Sequence, residues 1–226
     1  MSSQPFRILA PIFPNFNILD LTGPAEVFGN SRIDPSLRSL DIVASTEKTQ
    51  SYEGITVARD VTYSELDLEK YDMLLLPGAS PQFVLEAIEE DAGLMDVVRR
   101  FAGLKGGEGK WLFSVCTGAL FLGAAGVLSG RTATTHWRAL DLLREVCGKV
   151  GGKETEVVRK RFVDGGKTEG GMRVVNAGGV SCGIDASLWI VKETKGVEMA
   201  EGIAGVMDYK WAFEGVEVEV TERFLV

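Results

Sequence analysis

The stretch that decides the fold reads Trp111-Leu112-Phe113-Ser114-Val115-Cys116-Thr117-Gly118, and it continues through Ala119 to Leu128 as ALFLGAAGVL. Its first three residues are large and apolar, as expected of a strand buried on both faces. From Ala119 to Leu128 the chain is apolar on every side and rich in Ala and Gly, the composition of a buried, closely packed helix. Between the two stands a cysteine flanked by small residues. A strand that stops at such a residue and turns at once into a helix is a nucleophile elbow, which lifts the side chain clear of the backbone at the carboxyl edge of a sheet.

Working outward, the apolar run Phe6 to Phe13 reads as a buried strand, Pro14 to Asn17 as a loop and Ile18 to Phe28 as a helix. Leu40 to Ala44 and Ile55 to Ala58 are short strands, and Met73 to Leu76 is a central parallel strand closed by Pro77-Gly78-Ala79. A loop at that point sits where open α/β sheets keep their sites. Pro81 to Phe101 has helical periodicity broken near Asp91-Ala92-Gly93, which splits it into two helices. Thr132 to Thr135 is a strand and Ala139 to Val146 a helix. Glu156 to Val163 and Met172 to Val175 form a hairpin, and the helices Ile184 to Glu193 and Val197 to Met207 follow. Strands alternating with helices at these lengths predict an α/β fold: a doubly wound, mostly parallel sheet with helices on both faces. With no linker, repeat or low-complexity tract, residues 1–226 read as one domain.

Composition narrows the function. Twenty-four basic against 32 acidic residues give a net charge of -8, which repels nucleic acid and anionic lipid. Three cysteines with no close pair form neither a disulfide framework nor a zinc pattern, so a reducing compartment and no metal are expected. The opening Met1-Ser2-Ser3-Gln4-Pro5 has no leader pattern, and no run approaches the roughly 18 apolar residues of a membrane span. A cytoplasmic protein without a membrane partner follows.

Cys116 carries the chemistry. At the start of a helix, unpaired N–H groups and the positive end of the dipole stabilise a thiolate and would lower its pKa from about 8.5 to roughly 3.5–7.5. The alternative is a small apolar filler, the usual role of a free cysteine, and it is the reading adopted for Cys147 and Cys182. Asp20, among apolar neighbours after the first strand, is either a general acid and base with a raised pKa or the N-cap of the first helix. His136 is the sole histidine; it stands at a strand end, compatible with a site or with a loop imidazole bonded to backbone.

At these residues the sequence resembles the DJ-1/PfpI superfamily, a group related to the class I glutamine amidotransferases, and within it the branch of isocyanide hydratases and amidase-like domains of AraC-type regulators. The matching segments are Leu19 to Pro24, Leu76 to Ala79, Ser114 to Ala119, Gly123 to Leu128, Ser129 to Trp137 and Gly183 to Ala186, in the expected order over about three quarters of the chain. The resemblance implies a flavodoxin-like sandwich, a homodimer, and an acidic residue hydrogen-bonded to the cysteine sulfur. Asp20 with Cys116-Thr117 is the hydratase pattern; DJ-1-like members carry Glu at the first place and many protease-like members carry His after the cysteine. The tail departs from the hydratases: Tyr209 to Val226 lacks proline and alternates Val216, Val218 and Val220 with Glu217 and Glu219, an extra pairing edge between subunits.

The activity so implied is hydration of an isocyanide, R–N≡C, to an N-substituted formamide, without metal or organic cofactor. Cys116 is the nucleophile, Asp20 moves the protons, and Thr117, His136 and the N–H groups of Gly78 and Ala79 line the pocket and stabilise developing negative charge. Two rivals are glyoxalase-type or other thiol-dependent hydrolysis, and a non-enzymatic sensor based on oxidation of Cys116. A ligand-sensing half of a transcription regulator needs a helix-turn-helix region, for which the chain, ending at Val226, leaves no room.

Overall fold

In a computed structural model residues 6–30 and 40–212 are described. The opening apolar run forms β1 (Ile8–Pro11), and α1 (Ile18–Phe28) follows with the predicted limits. Asn17, not Asp20, caps α1: its side chain accepts from the N–H groups of Leu19 and Asp20. Next come β2 (Leu40–Val43) and an antiparallel ribbon of β3 (Lys48–Gln50) and β4 (Thr56–Ala58), which stands apart from the main sheet.

The all-buried β5 (Met73–Leu76) leads to α2 (Pro81–Glu90) and α3 (Ala92–Ala102). They separate at Asp91, whose side chain leaves α2 to accept from the N–H of Leu94 at the head of α3. After β6 (Trp111–Ser114), residues 116–118 form a single 3₁₀ turn and α4 covers only Ala119–Ala124. The expected helix to Leu128 is therefore cut short, because Gly126 adopts positive φ and the chain turns away.

The expected hairpin from Glu156 divides. β7 (Thr132–Ala133), which precedes α5 (Leu140–Val150), pairs with β8 (Glu156–Val157) in a short ribbon of its own. β9 (Phe162–Lys167) then pairs antiparallel with β10 (Arg173–Ala177), and β10 lies parallel against β6. Helices α6 (Cys182–Lys195) and α7 (Val197–Val206) complete the described chain. The alternating segment 216–220 lies outside the described residues.

The main sheet has the order β2-β1-β5-β6-β10-β9, parallel except for the edge strand β9. Helices α1, α6 and α7 pack together as one group, and α2 to α5 as another. Between them the sheet's side chains, including Leu74, Leu75, Leu112, Phe113, Val174 and Val175, are fully buried. Each contributes roughly 1.5–3 kcal/mol of hydrophobic stabilisation. From β1 the chain goes to β2 on one side and later to β5 on the other. The carboxyl ends of β1 and β5 thus flank a topological switch point, where open α/β sheets open a crevice.

Candidate active site

Four segments meet at the carboxyl edge of the sheet. The first turn of α1, just after β1, brings Asp20, the loop after β5 brings Gly78, that after β6 brings Cys116, and that after β10 brings Gly178 to Val180. Cys116 is held at φ 56°, a left-handed conformation that costs a non-glycine residue about 1–3 kcal/mol. Its backbone is pinned on two sides: the N–H donates to the Gly178 carbonyl (2.8 Å) and the carbonyl accepts from the Thr135 hydroxyl (2.8 Å). The predicted elbow is present and strained.

Close approach of the β5 loop to the elbow depends on glycine. A Cβ at position 78 would lie 2.5 Å from Thr117 Oγ1 and 2.6 Å from Thr117 N, and one at position 118 would lie 2.1 Å from the Leu76 carbonyl oxygen. The Thr117 hydroxyl accepts from Ala79 N–H (2.8 Å) and lies 2.6 Å from the Ala79 carbonyl, to which it donates.

Asp20 is fully buried, and its Oδ2 accepts from the Gly78 N–H at 3.0 Å. Oδ1 has no hydrogen-bond partner of ordinary length among the described residues. The Cys116 thiol is near enough to the carboxyl for each to shift the ionisation of the other. Burial dominates, raising the Asp20 pKa to about 7 against the lowering influence of Gly78 N–H and the thiol. For Cys116 burial dominates again, and with the Asp20 charge it pushes the thiol up to about 12, although the N–H groups of Val180 and Thr117 favour the thiolate.

Two expectations are corrected here. The cysteine pKa rises instead of falling, because the side chain is only 6% exposed and α4 is too short, and begins too late, to act as a strong dipole on the sulfur. The N–H groups of Gly78 and Ala79 are not free to hold a developing charge: one bonds Asp20, the other Thr117. The groups that favour charge at the sulfur are Val180 N–H, Thr117 N–H and the Thr117 hydroxyl. Val180 was invisible in the sequence, since a backbone donor carries no residue signature. Its φ of 29°, rare for a β-branched residue, is what marks it in the structure.

Asp20, Gly78, Ala79, Cys116 and Thr117 thus converge, whereas His136 stands one layer away. Its ring lies against Gly179, in a cavity it shares with Thr135, Val180 and Cys182. Nδ1 accepts from the Arg138 N–H at 3.3 Å, and burial together with the Arg138 charge lowers its pKa. Cys182 is buried at the start of α6 and Cys147 lies part-exposed in α5. Among the described residues, no group of His, Cys, Asp and Glu could hold a metal ion, and no helix is long and apolar enough to cross a membrane.

The chain that carries this elbow, with a buried acid from the first turn of α1 beside it, matches a known family over residues 6–180, the DJ-1/PfpI family. The chain belongs to the DJ-1/PfpI family. Among its relatives is the isonitrile hydratase of Pseudomonas putida, 33% identical over 88% of this chain and 76% of that protein. A THiJ/PfpI family protein from Pseudomonas syringae superposes with a TM-score of 0.73 at 26% identity, over 91% of this chain and 76% of that one. An AraC family transcriptional regulator from Pseudomonas putida shares the fold, with a TM-score of 0.68 at 20% identity over 90% of this chain and all of that one.

Proposed function

We propose that this DJ-1/PfpI protein is an isocyanide hydratase with Cys116 as nucleophile and Asp20 as proton carrier. One observation carries the reading: a fully buried carboxyl, Asp20, is set against the buried Cys116 thiol, and burial raises both, the acid to about 7 and the thiol to about 12. The addition needs that arrangement. An isocyanide carbon takes on both a sulfur and a hydrogen, so the pair must deliver a nucleophile and a proton to one atom.

Ionised Asp20 accepts the thiol proton as the sulfur bonds to the terminal carbon, and then returns that proton to the same carbon, giving a thioimidate, R–N=CH–S–Cys116. Water, deprotonated by Asp20, adds to this carbon. Asp20 hands that proton to the nitrogen, and as the C–S bond breaks the added hydroxyl becomes the formyl C=O and gives up its proton, through Asp20, to the departing sulfur, so that R–NH–CHO leaves with the thiol restored. The N–H groups of Thr117 and Val180 stabilise negative charge on the sulfur as it forms and departs. The Thr117 hydroxyl, tied to Ala79 on both sides, fixes the elbow against the β5 loop. No step calls for a metal or an organic cofactor.

The similarity to the Pseudomonas putida isonitrile hydratase supports the same chemistry. A redox sensor is disfavoured by the raised thiol pKa, since oxidation proceeds through the thiolate. The deciding experiment offers the purified protein a simple isocyanide and methylglyoxal side by side. Formamide production from the isocyanide alone, abolished in Cys116→Ala, is expected. Consumption of methylglyoxal alone would point to glyoxalase-type chemistry, and hydratase turnover surviving in Cys116→Ala would remove the cysteine from its role.

In this reading the 226 residues form one catalytic domain that works in the reducing cytoplasm as a homodimer, by analogy with the family. Sedimentation at micromolar concentration should give twice the 24.5 kDa chain mass. A lone monomer peak would refute the dimer.

A further inference from the structure

A second cleft lies at the edge of the sheet opposite the thiol. It has a volume of about 960 Å³ and is walled by the chain just past α3, the turn just past α4, residues 152 and 153, and the turn between β9 and β10. β10 runs parallel to β6 with Arg173 opposite Trp111. That turn therefore enters the sheet at its amino edge, whereas Cys116 follows the carboxyl end of β6. The length of β6, four residues or roughly 13 Å, separates the two.

Four cations line the cleft, Arg99, Lys105, Arg131 and Lys153, against one carboxylate, Glu169. The carboxyl ends of α3 and α4, at Ala102 and Ala124, border it and offset at most about half a charge each. Roughly two negative charges thus face four positive ones. Arg131 is built into the wall: Nε donates to the Val127 carbonyl (2.9 Å), and Nη1 to those of Gly165 (3.1 Å) and Lys167 (2.8 Å). Lys153 is fixed beside it, because its N–H donates to Ser129 Oγ (2.9 Å) and a Cβ at position 130 would meet its stem at 3.2 Å. Among the described residues, Arg99, Lys105 and Lys153 make no ion pair.

Cations gathered in a concave site without matching counter-charge repel one another, and a bound anion removes that cost. We infer that this cleft binds a small anion of high charge, in the class of a phosphate chain or a tricarboxylate. Size and charge select a small ligand over a polymer. Screening confines the field of the cleft to about 10 Å at 0.1 M salt. A compact anion therefore meets the four cations alone, while a nucleic acid also meets the surrounding surface of a chain of net charge -8. The inference is independent of the hydratase reading, since neither Cys116 nor Asp20 lines this cleft.

Titration calorimetry of the full chain at low ionic strength tests it with tripolyphosphate, citrate and orthophosphate. A polyanion should bind at one site per chain, more tightly than orthophosphate, and weaken as salt is added. Equal binding of tripolyphosphate and citrate means that charge alone decides, and binding of only one of them assigns the site to phosphates or to carboxylates. Arg99→Gln, Lys105→Gln and Lys153→Gln replace exposed side chains. Each should weaken binding roughly two- to fivefold, and the triple variant roughly ten- to a hundredfold. Glu169→Gln should tighten it roughly two- to fivefold, a gain that a damaged fold cannot mimic. Cys116→Ala should bind as the wild type does. The inference is overturned if neither polyanion saturates the protein, if the triple variant binds like wild type, or if Cys116→Ala loses the binding.

Discussion

Asp20 and Cys116 hold one proton between them from about pH 7 to about pH 12, so their titration belongs to the pair. Because ionised Asp20 must accept the thiol proton, kcat/KM should climb with pH through about 7 and then level. A profile falling through 7 would mean that the protonated acid starts the reaction. Asp20→Asn keeps the size and the bond from Gly78 N–H but cannot move a proton, so turnover should drop by roughly 10²–10⁴. Stability should respond in the opposite sense. The folded pKa, about 7, exceeds the ordinary value of 3.8, so the folded state binds the extra proton between those limits, and stability is lost as pH rises across that window. Asp20→Asn should therefore be more stable than wild type at pH 8 by up to a few kcal/mol, and melt higher, with the gap closing toward pH 4. Equal melting temperatures at pH 8 would show that the carboxylate is not held at the cost described.

At the scale of elements, the site is a meeting of four segments that depends on the fit of the β5 loop to the turn after β6. Gly78→Ala places a methyl group 2.5 Å from Thr117 Oγ1 and 2.6 Å from its nitrogen, with backbone on both sides and no flexible chain end to yield. The elbow has to move, and the Asp20–Gly78 bond with it. We expect a loss of about 1–3 kcal/mol in unfolding free energy and at least a tenfold fall in turnover; wild-type values in both would break the argument. The elbow itself was legible, since strand, small residues and apolar helix adjoin in sequence, and so was the split of α2 from α3 at Asp91. Two things were not. The fate of Glu156 and Val157 depends on β7, which is distant in sequence, and adjacency alone assigned them to the hairpin. The sign of the cysteine pKa depends on how far the loops at 77–79 and 178–180 close over the thiol, which no local pattern records.

Over the whole molecule, the edge of the sheet, the helix behind it and the last described segment are joined at one buried acid. Asp185, fully buried in the first turn of α6, pairs with Arg161 at the entry to β9. Its Oδ1 accepts from the Ala212 N–H (2.9 Å) and its carbonyl from Trp211 Nε1 (3.1 Å). Residues 161, 185 and 212 come from three separate parts of the chain, so the contact orders the stretch after α7 as well as the sheet edge. The Arg161 side chain is only 22% exposed, and removing the acid strands a largely buried guanidinium. Breaking such a pair costs about 3–5 kcal/mol, more than the pair itself contributes over apolar residues. Asp185→Ala should accordingly lower the urea midpoint by that amount divided by the m-value, while Asp185→Asn, which can still accept from Ala212 N–H, should lose less. Proteolysis of the native protein after residue 207 should also quicken in Asp185→Ala, since Ala212 N–H loses its carboxylate acceptor while only the bond from Trp211 Nε1 to the residue 185 carbonyl remains. If Asp185→Ala unfolds within about 1 kcal/mol of wild type, the acid is not the tie between α6, the sheet edge and the last segment, and the order of residues 209–212 must come from apolar packing of Tyr209 and Trp211 against the core.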